Sequence, residues 1–349
     1  MTGPAQKWGI EYHRGIGLAF ADYNARIGSG RPRLELLLAD DQYEPSLARQ
    51  NTSDLIESEK VFGLIGYVGA ECSLSGLAQA SKAGIPFVAP LSGDEALRAS
   101  PDRWLVNMRP GDDAETRVLA SALATINFRR VSVLVQADAD GQAALQSLGR
   151  SLAATGRPPP ISVVKIDRNS TGQVESAGRD IEAAMRELLR GNPDAVICLS
   201  SFATTGAVVS RLRSAGYAGG CYATSMSSSS AISSALGNFA AGLSMTQVVP
   251  SPFVLSMPLV ASYRKTLEGG ATVGPEYVSL EGWIAGRMVA ETLFRIGANS
   301  VTRENFMTSI EALGGTSLDG LPMHWDGARR EFRSRVTLSV LDRNGRPVS

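Results

Sequence analysis

The stretch of residues 61–93 constrains the fold more than any other part of the chain. It reads VFGLIGYVGAECSLSGLAQASKAGIPFVAPLSG, which predicts a short buried strand, a turn with glycines, a helix of small residues, a second strand and a second open turn. Two strands joined by a helix in this way pair in parallel. Both turns then follow the carboxyl ends of neighbouring parallel strands, where open α/β sheets bind their ligands.

Both turns have features that suit contact with a small molecule. In the first, Gly66, Gly69 and Ala70 leave backbone N–H groups uncovered, and the helix that follows directs its positive end at an anion such as a carboxylate. The second turn, residues 91–93, repeats this arrangement and adds the hydroxyl of Ser92. A glycine after a strand can also serve only to allow the turn. Two consecutive turns of this kind favour a ligand-binding crevice.

The alternation of strands and helices continues along most of the chain and predicts parallel sheets flanked by helices. At 349 residues the chain is long enough for two such α/β units, each with its own core. The predicted strands are 34–39, 61–65 and 86–89 in the first unit and 131–136, 161–165, 195–199 and 221–223 in the second. The predicted helices are 15–26, 45–58, 73–83, 114–125, 141–154, 174–189, 205–215, 256–267 and 277–296.

Extended segments at 105–109 and 242–250 interrupt this pattern, and we predict that the chain crosses between the units there. The predicted first unit is 1–108 plus 248–333, because the long apolar helices after residue 250 need a sheet to cover. The predicted second unit is 109–247 plus 334–349, with a hairpin and an Asn-Gly turn near its end. A few extended residues absorb a rotation without disturbing either core. The predicted hinge residues are Asn107, Arg109 and Gln247.

The start of the chain runs directly into a helix, with Ile10, Gly17, Leu18 and Phe20 predicted on one face. A doubly wound unit normally begins with a strand, so we expect a first strand and a leader to lie ahead of Met1. The chain as given carries no export signal in its first twenty residues. No run approaches the roughly 20 apolar residues that cross a bilayer.

Composition and residue spacing exclude several classes of function. Lys+Arg and Asp+Glu both number 34, so no overall charge favours nucleic acid or an anionic membrane. The three cysteines form no C-x-x-C pair, and Cys198 and Cys221 are predicted as buried thiols rather than a disulfide. His13 and His324 have no nearby metal-ligand partner. The sequence therefore predicts no metal site, no cofactor and no catalytic base or nucleophile.

An acidic cluster after the first predicted strand has two interpretations. Asp40, Asp41 and Glu44 have the residue types of a cation site, but they directly precede Pro45, where a helix is predicted to begin. Acidic residues at that position cap the helix and interact favourably with its dipole. We therefore predict helix capping.

Seven segments spread over nearly the whole chain carry a resemblance to a known family. They are TGPAQKWG, LADDQYEPSLARQN, VFGLIGYVG, GIPFVAPLSG, NMRP, TQVVPSP and YVSLEGWIAGRMVAETLFR. In these segments and their order, the chain resembles the type I periplasmic solute-binding proteins, specifically the leucine/isoleucine/valine-binding receptors of ABC importers. The resemblance implies two doubly wound parallel-sheet lobes joined by a hinge. It also implies a first strand and a secretion signal ahead of TGPA.

The resemblance implies a ligand site as well. It assigns the ligand's carboxylate and ammonium to the turn at Gly69 and Ala70 and to the turn at residues 91–93. Ala70 replaces a serine or threonine that relatives often have. In the second lobe, Asp140 matches a position where an acid could meet an ammonium or hydroxyl group, but it also fits an exposed loop acid. Residues 223–230 match a turn that closes over the ligand in relatives, but they also fit an ordinary flexible loop. Glu281 is predicted to make a structural hydrogen bond or salt bridge. The predicted ligand-binding residues are Gly69, Ala70, Leu91, Ser92, Gly93, Asp140, Phe202, Met226 and Ser227.

We therefore expect a non-enzymatic receptor in the periplasm or at the cell surface that captures an amino acid, an amide or a small carboxylate between its lobes. Its expected partners are an ABC permease and a separate ATPase, because the chain has no G-x-x-x-x-G-K-[ST] motif to power transport. It would contact the membrane only through these proteins. A ligand-sensing regulator with the same clamp is the alternative, and an enzyme would need a clustered base and nucleophile that the sequence lacks.

Overall fold

The computed structural model describes residues 1–167, 175–227, 229–268, 274–297 and 300–348, without the side chains of residues 175–180 and 229–231. The chain divides into two compact units. Unit 1 is Met1–Pro110 with Val249–Arg335, and unit 2 is Gly111–Val248 with Val336–Ser349. The chain therefore passes between the units after residues 110, 248 and 335, and these three places are called the crossings below.

The elements up to the first crossing are α1 (Gln6–Arg26), α2 (Pro45–Glu57), β1 (Leu64–Ile65), α3 (Ala70–Ala83), β2 (Phe87–Val88), α4 (Glu95–Ala99) and β3 (Leu105–Val106). Between the first and second crossings lie α5 (Asp112–Thr125), β4 (Val131–Gln136), α6 (Ala139–Ala154), β5 (Ser162–Ile166), α7 (Glu175–Leu188), β6 (Ala195–Leu199), α8 (Phe202–Ser214), β7 (Gly220–Ala223), the 3-10 turn η1 (Ser225–Ser227), α9 (Ser229–Leu236), η2 (Gly237–Phe239) and β8 (Leu243–Gln247). The remaining elements are α10 (Pro258–Glu268), α11 (Tyr277–Arg295), α12 (Arg303–Glu311), β9 (Ser317–Leu318), β10 (Leu321–Pro322), β11 (His324–Asp326), β12 (Glu331–Arg333), β13 (Thr337–Leu341) and β14 (Pro347–Val348).

Unit 1 is built on a parallel sheet of very short strands in the order β1-β2-β3. Phe87 lies at its centre, opposite Leu64 on one side and Leu105 on the other. These residues form a core with apolar side chains of α3 and α4, including Leu77 and Leu97. Strands β1 and β2 are shorter than predicted but fall at the predicted places, whereas β3 lies in the segment 105–109 that was predicted as a crossing.

Helices α1 and α11 of unit 1 pack with their backbones almost in contact. Gly282 of α11 faces the carbonyl of Tyr12, and Gly15 of α1 faces the carbonyl of Ser279, so a side chain at either glycine would collide with backbone. Trp283 is fully buried beside this contact. Such close approach is a position that only glycine tolerates.

The first helix differs from its prediction in both length and orientation. It begins at Gln6, nine residues before the predicted start at residue 15. Its buried face carries Trp8, Tyr12 and Ile16, whereas Ile10, which was predicted to face inward, is 45% exposed. The buried residues Trp8, Tyr12, Ile16 and Phe20 recur every four positions, so Phe20 was predicted on the correct face, whereas Ile10 lies between Trp8 and Tyr12 and points away from them.

Residues 34–39 were predicted to form a strand, and this prediction was wrong. The segment is extended, but within the described residues it has no strand partner. The side-chain amide of Asn24 binds both the N–H and the carbonyl of Leu34, at 2.9 and 2.7 Å. An apolar cavity of about 360 Å³ lies between this segment, α1 and β1. An apolar sequence becomes a strand only where a neighbour completes its hydrogen bonds.

Unit 2 contains, within the described residues, a seven-stranded sheet in the order β14-β13-β8-β7-β6-β4-β5. The five strands β4 to β8 are all parallel, and β13 pairs antiparallel with β8. Val133 of β4 belongs to a core cluster with α5 and α6, whereas Leu134 belongs to a cluster with α7, α8 and α9. Successive strand residues point to opposite faces, so helices cover both sides of the sheet. The predicted doubly wound α/β class is confirmed.

The sequence predicted the C-terminal hairpin of unit 2, but it did not predict two short hairpins in unit 1. The predicted C-terminal hairpin is present as β13 and β14, with Gly345 at a φ of +69° in its turn. The hairpins β9-β10 and β11-β12 were not predicted, because strands of two or three residues show no reliable periodicity. Cys198 and Cys221 are buried thiols that form no disulfide, as predicted, and Cys72 is buried as well.

Candidate functional site

The two predicted ligand turns of unit 1 lie side by side and are hydrogen-bonded to each other. The N–H of Leu91 donates to the carbonyl of Tyr67 over 2.7 Å, and the N–H of Gly69 donates to the carbonyl of Leu91 over 3.1 Å. Val68 and Leu91 form an isolated parallel bridge. The structure therefore brings together the turns after β1 and β2, as the strand-helix-strand pattern predicted.

Gly69 controls the geometry of the first turn. Its φ is +82°, and a side chain at this position would meet the ring of Tyr43 at 2.6 Å. Helix α3 begins at the next residue, Ala70, and Gly69 supplies no side-chain cap. The hydroxyl of Ser73 donates back to the carbonyl of Gly69. The start of α3 is therefore a positive helix end, which favours an anion.

Ser92 presents a hydroxyl in the second turn. Its side chain is buried, and its oxygen accepts a hydrogen bond from the N–H of Asp94 over 3.2 Å. Asp94 in turn caps α4 by accepting from the N–H of Ala96 over 2.7 Å. A hydroxyl has one proton to donate and two lone pairs. Because the bond from Asp94 uses a lone pair, the proton of Ser92 remains available for an acceptor such as a carboxylate.

Arg98 of α4 lies beneath the Ser92 turn and was missed by sequence reasoning. Its guanidinium donates to the carbonyls of Ser92 and Asp94, at 3.0 and 2.8 Å, and to the carbonyl of Arg109. Its Nε lies 3.3 Å from a carboxylate oxygen of Glu331. The side chain is fully buried. An arginine in the short segment EALRA carries no sequence signal for burial, because arginine is almost never fully buried unless paired.

A second buried charged group lies beside these turns. Arg109 forms a 2.8 Å salt bridge with Glu281 of α11, which confirms the structural role predicted for Glu281. The hydroxyl of Tyr12 donates to the carbonyl of Ala89, just ahead of the second turn, over 3.0 Å. Burial raises the pKa of Tyr12 well above its usual value, and the charge of Glu281 raises it further. Tyr12 therefore stays a neutral donor.

The acidic cluster at residues 40–44 does not cap α2 as predicted. Helix α2 does begin at Pro45, but its cap residue Glu44 makes no side-chain cap hydrogen bond. Asp41 instead accepts from the N–H of Tyr43 over 2.9 Å and from Cys72 in the first turn of α3. Its pKa is raised, mainly by burial. The carboxyl group therefore lies next to the candidate site and fixes the loop that carries Tyr43.

In unit 2, the predicted residues Asp140 and Phe202 lie after the carboxyl ends of two parallel strands. Asp140 is half-buried in the first turn of α6, after β4, and Asp138 caps that helix by accepting from the N–H of Gly141 over 2.9 Å. Phe202 begins α8, after β6, and packs partly against the core. Asp140 is thus a helix residue rather than a loop residue.

Met226 and Ser227 lie in the turn η1, after β7. Met226 is half-buried, whereas Ser227 is fully buried. The Ser227 hydroxyl donates to the carbonyl of Ser200 and shares a contact with the Thr205 hydroxyl, both at 3.2 Å. These bonds connect the loops after β6 and β7. In the predicted segment 223–230, Ser228 and the side chains that follow lie outside the described residues.

Glu115 of α5 is the second functional candidate that the sequence did not indicate. It is 1% exposed, and its carboxylate accepts from the N–H and the hydroxyl of Ser225, at 2.9 and 2.8 Å, and from the hydroxyl of Thr246. Ser225 is the first residue of η1. A run such as DDAE is typical of an exposed helix N-terminus, so nothing in the sequence predicted burial.

The predicted hinge residues are all buried near crossings. Asn107 exchanges backbone hydrogen bonds with the segment 330–332, donating to Arg330 and accepting from Phe332 at 2.7 and 2.8 Å. Gln247 ends β8, one residue before the second crossing, and its amide donates to Ser339 over 3.0 Å. Arg109 is the residue before Pro110, where the first crossing begins.

The described residues contain no group of three or more His, Cys, Asp or Glu side chains arranged to hold a metal. None of the described helices combines the length and the apolar character that crossing a bilayer requires. The described residues instead place backbone N–H groups, hydroxyls and half-buried side chains at the carboxyl ends of parallel strands in each unit. Such a set binds polar small molecules through hydrogen bonds.

Comparison with known sequences gives two matches. The model of a family described as "Periplasmic binding protein" matches residues 1–346. An "Amino acid binding protein" of Pseudomonas aeruginosa is 25% identical over 142 residues, which is 40% of this chain and 38% of that protein. The match to this curated relative thus spans less than two thirds of its length.

Comparison with solved structures shows the same fold. A possible leucine/isoleucine/valine-binding protein from Rhodopirellula baltica SH 1 superposes with a TM-score of 0.87 and 24% identity, covering 100% of this chain and 94% of that one. A solute-binding protein of an ABC transporter from R. palustris, in complex with benzoate, gives a TM-score of 0.85 and 17% identity over 99% and 92% of the two chains. These likenesses confirm the predicted type I periplasmic binding protein fold.

Proposed function

Because the chain belongs to the periplasmic binding protein family, we propose that it captures a small polar ligand and delivers it to an ABC importer. The family binds solutes outside the cytoplasm and is not a family of enzymes, and membership confirms the resemblance identified in the sequence. The proposed location is the periplasm or the cell surface. The proposed partners are a membrane permease and its separate ATPase.

The hydrogen-bonded pair of turns in unit 1 carries this proposal. The start of α3 has no side-chain cap, and the Ser92 hydroxyl keeps a proton to donate, so both turns suit a carboxylate. The benzoate bound to the R. palustris relative and the amino acids named for the P. aeruginosa one both carry this group. The proposed ligand class is therefore a small carboxylate, with amino acids tested first.

The residues of unit 2 have complementary roles in the proposal. Phe202 supplies an apolar wall, Met226 an adaptable apolar contact, and Asp140 an acceptor for an ammonium or hydroxyl group. Ser227 is proposed to act through its backbone or through the loop that it fixes, because its hydroxyl is bonded to Ser200 and Thr205. Leu91, Gly93 and Ala70 contribute backbone groups.

The test is a thermal-shift and calorimetric screen that compares each carboxylate with its amide, such as isoleucine with isoleucinamide and benzoate with benzamide. A ligand at about 100 times its dissociation constant stabilises the folded state by roughly 2.7 kcal/mol. We expect S92A to weaken carboxylate binding about tenfold or more, because a hydrogen bond to a charged group contributes about 1.5–3 kcal/mol.

The matched control is S53A, because the Ser53 hydroxyl donates to the carbonyl of Arg49 within α2 and belongs to neither turn. Equal binding of wild type and S92A, or equal binding of a carboxylate and its amide, would reject the proposed carboxylate site. A cooperative melt without any shift from amino acids or aromatic acids would reject the ligand class.

A further inference from the structure

In unit 1, one buried cation connects the Ser92 turn to two chain crossings. Arg98 donates to the carbonyls of Ser92 and Arg109 and lies 3.3 Å from a carboxylate oxygen of Glu331. Arg109 directly precedes Pro110 at the first crossing, and Glu331 lies four residues before Arg335 at the third. The cation therefore touches the candidate ligand turn and two of the three crossing segments of its unit at once.

In unit 2, one buried anion has the corresponding position. Glu115 lies in the first turns of α5, which starts immediately after the first crossing, and it holds Ser225 at the start of η1. It also accepts from Thr246 of β8, two residues before Val248 at the second crossing. Ser225 directly precedes Met226, the proposed ligand contact. The anion thus links a candidate ligand loop to two crossing segments.

Core packing alone does not require a charged side chain at Arg98 or at Glu115. A buried charge with its partners is seldom better for stability than apolar residues of the same volume, so its presence calls for another account. A guanidinium fixes several carbonyls in one plane, and a carboxylate accepts several donors at once. Each of them therefore fixes the relative position of chain segments that are far apart in sequence.

We propose that Arg98 and Glu115 are positioning residues that couple the ligand turns to the crossing segments, so that ligand binding changes the conformation of the crossings. This inference rests on the proposed function. One side chain in each unit is responsible for the coupling. When that side chain is substituted, the turn and the crossing segments that it contacts should change together.

The first test is amide hydrogen exchange without any ligand. In E115A we expect exchange at least tenfold faster both at Ser225 and in residues 244–248, with β4 unchanged, and partial rescue in E115Q, which keeps the shape and can still bond to Ser225 and Thr246. In R98M we expect the same joint increase at residues 91–94 and 107–109, with partial rescue in R98K.

Each control removes a nearby exposed charge of the same sign and leaves the contacts of Arg98 and Glu115 intact. D113N removes an exposed ion pair with Arg150 on the same helix as Glu115. R103M removes an exposed guanidinium that stacks on Trp104. Faster exchange throughout a unit, or faster exchange at the turn without the crossing segment, would overturn the coupling in that unit, because a merely structural residue would loosen the core evenly.

The second test adds ligand and separates this inference from the proposed function. The probe is isoleucine or benzoate, whichever shifts the melting temperature of the wild type, and small-angle scattering reports compaction. We expect E115Q and R98K to bind about tenfold more weakly than D113N and R103M and to show a smaller compaction at saturation. Variants that bind and compact like wild type would overturn the inference and leave the proposed function standing, whereas a wild type that binds neither probe counts against the function alone.

Discussion

The two units build their candidate ligand turns on different foundations. In unit 1 the turns follow β1 and β2, strands of two residues each, whereas in unit 2 they follow β4, β6 and β7, strands of four to six residues. Unit 1 compensates with buried charged pairs such as Arg109 with Glu281. Unit 2 has apolar clusters on both faces of its sheet. The comparison teaches that unit 1 depends on specific polar contacts and unit 2 on packing.

The largest expected effect follows from breaking the charged pair of unit 1. R109M leaves the Glu281 carboxylate buried without its cation, and loss of one partner of a buried pair costs about 3–5 kcal/mol. The control in unit 2 is R130M. The ion pair between Arg130 and Asp194 is half-exposed and should contribute at most about 1 kcal/mol to the free energy of unfolding. Urea denaturation measures both. Equal losses would mean that unit 1 does not depend on this pair.

Unit 2 should instead respond most strongly to a cavity in its core. L134A removes a fully buried side chain from β4, an interior strand between β6 and β5, and such truncations cost about 2–5 kcal/mol. I161A, at a side chain that is 43% exposed, should cost less than about 0.5 kcal/mol. The same denaturation measurement checks both variants. A loss at Leu134 no larger than that at Ile161 would show that packing does not hold this sheet.

A smaller effect is expected at the first ligand turn of unit 1. G69A places a side chain at a φ of +82° and against the ring of Tyr43, which should cost about 1–3 kcal/mol and weaken ligand binding. G17A is the matched control, because Gly17 lies in α1 with nothing within 4 Å, and alanine should stabilise the helix by about 0.5–1 kcal/mol. Opposite signs in the two melting temperatures are the expected result. A stabilising G69A would contradict the geometry of this turn.

The same difference between the units explains what the sequence could predict. The strands β4 and β6 were predicted with their observed ends, because a buried parallel strand is a continuous apolar run. Residues 34–39 show the same pattern but lack a partner among the described residues, and no local pattern reveals whether a partner is present. The turns after β1 and β2 were predicted from glycine spacing, as candidate ligand turns. Arg98 and Glu115 could not be, because burial of a charge depends on distant acceptors and donors.

The smallest expected effect is a pH dependence that belongs to unit 1. Burial and, to a smaller extent, the nearby charge of Glu11 raise the pKa of Glu276 from 4.5 to about 7, against the opposing charges of Lys7 and Arg14. The folded state therefore holds this proton more tightly than the unfolded chain, so stability falls as the pH rises from about 4.5 to 7. Since the side chain is partly exposed, the loss should be on the order of 1 kcal/mol.

E276Q should remove this dependence, because glutamine does not titrate and keeps the shape of the protonated acid. We expect wild type and E276Q to have similar free energies of unfolding near pH 4, and E276Q to be more stable above pH 7, as measured by denaturation at several pH values. The control is E59Q, since the exposed Glu59 should leave the difference flat across this range. A constant difference between wild type and E276Q would mean that Glu276 stays ionised in the folded unit. The polar contacts of unit 1 would then tolerate a charge at the start of α11 without loss.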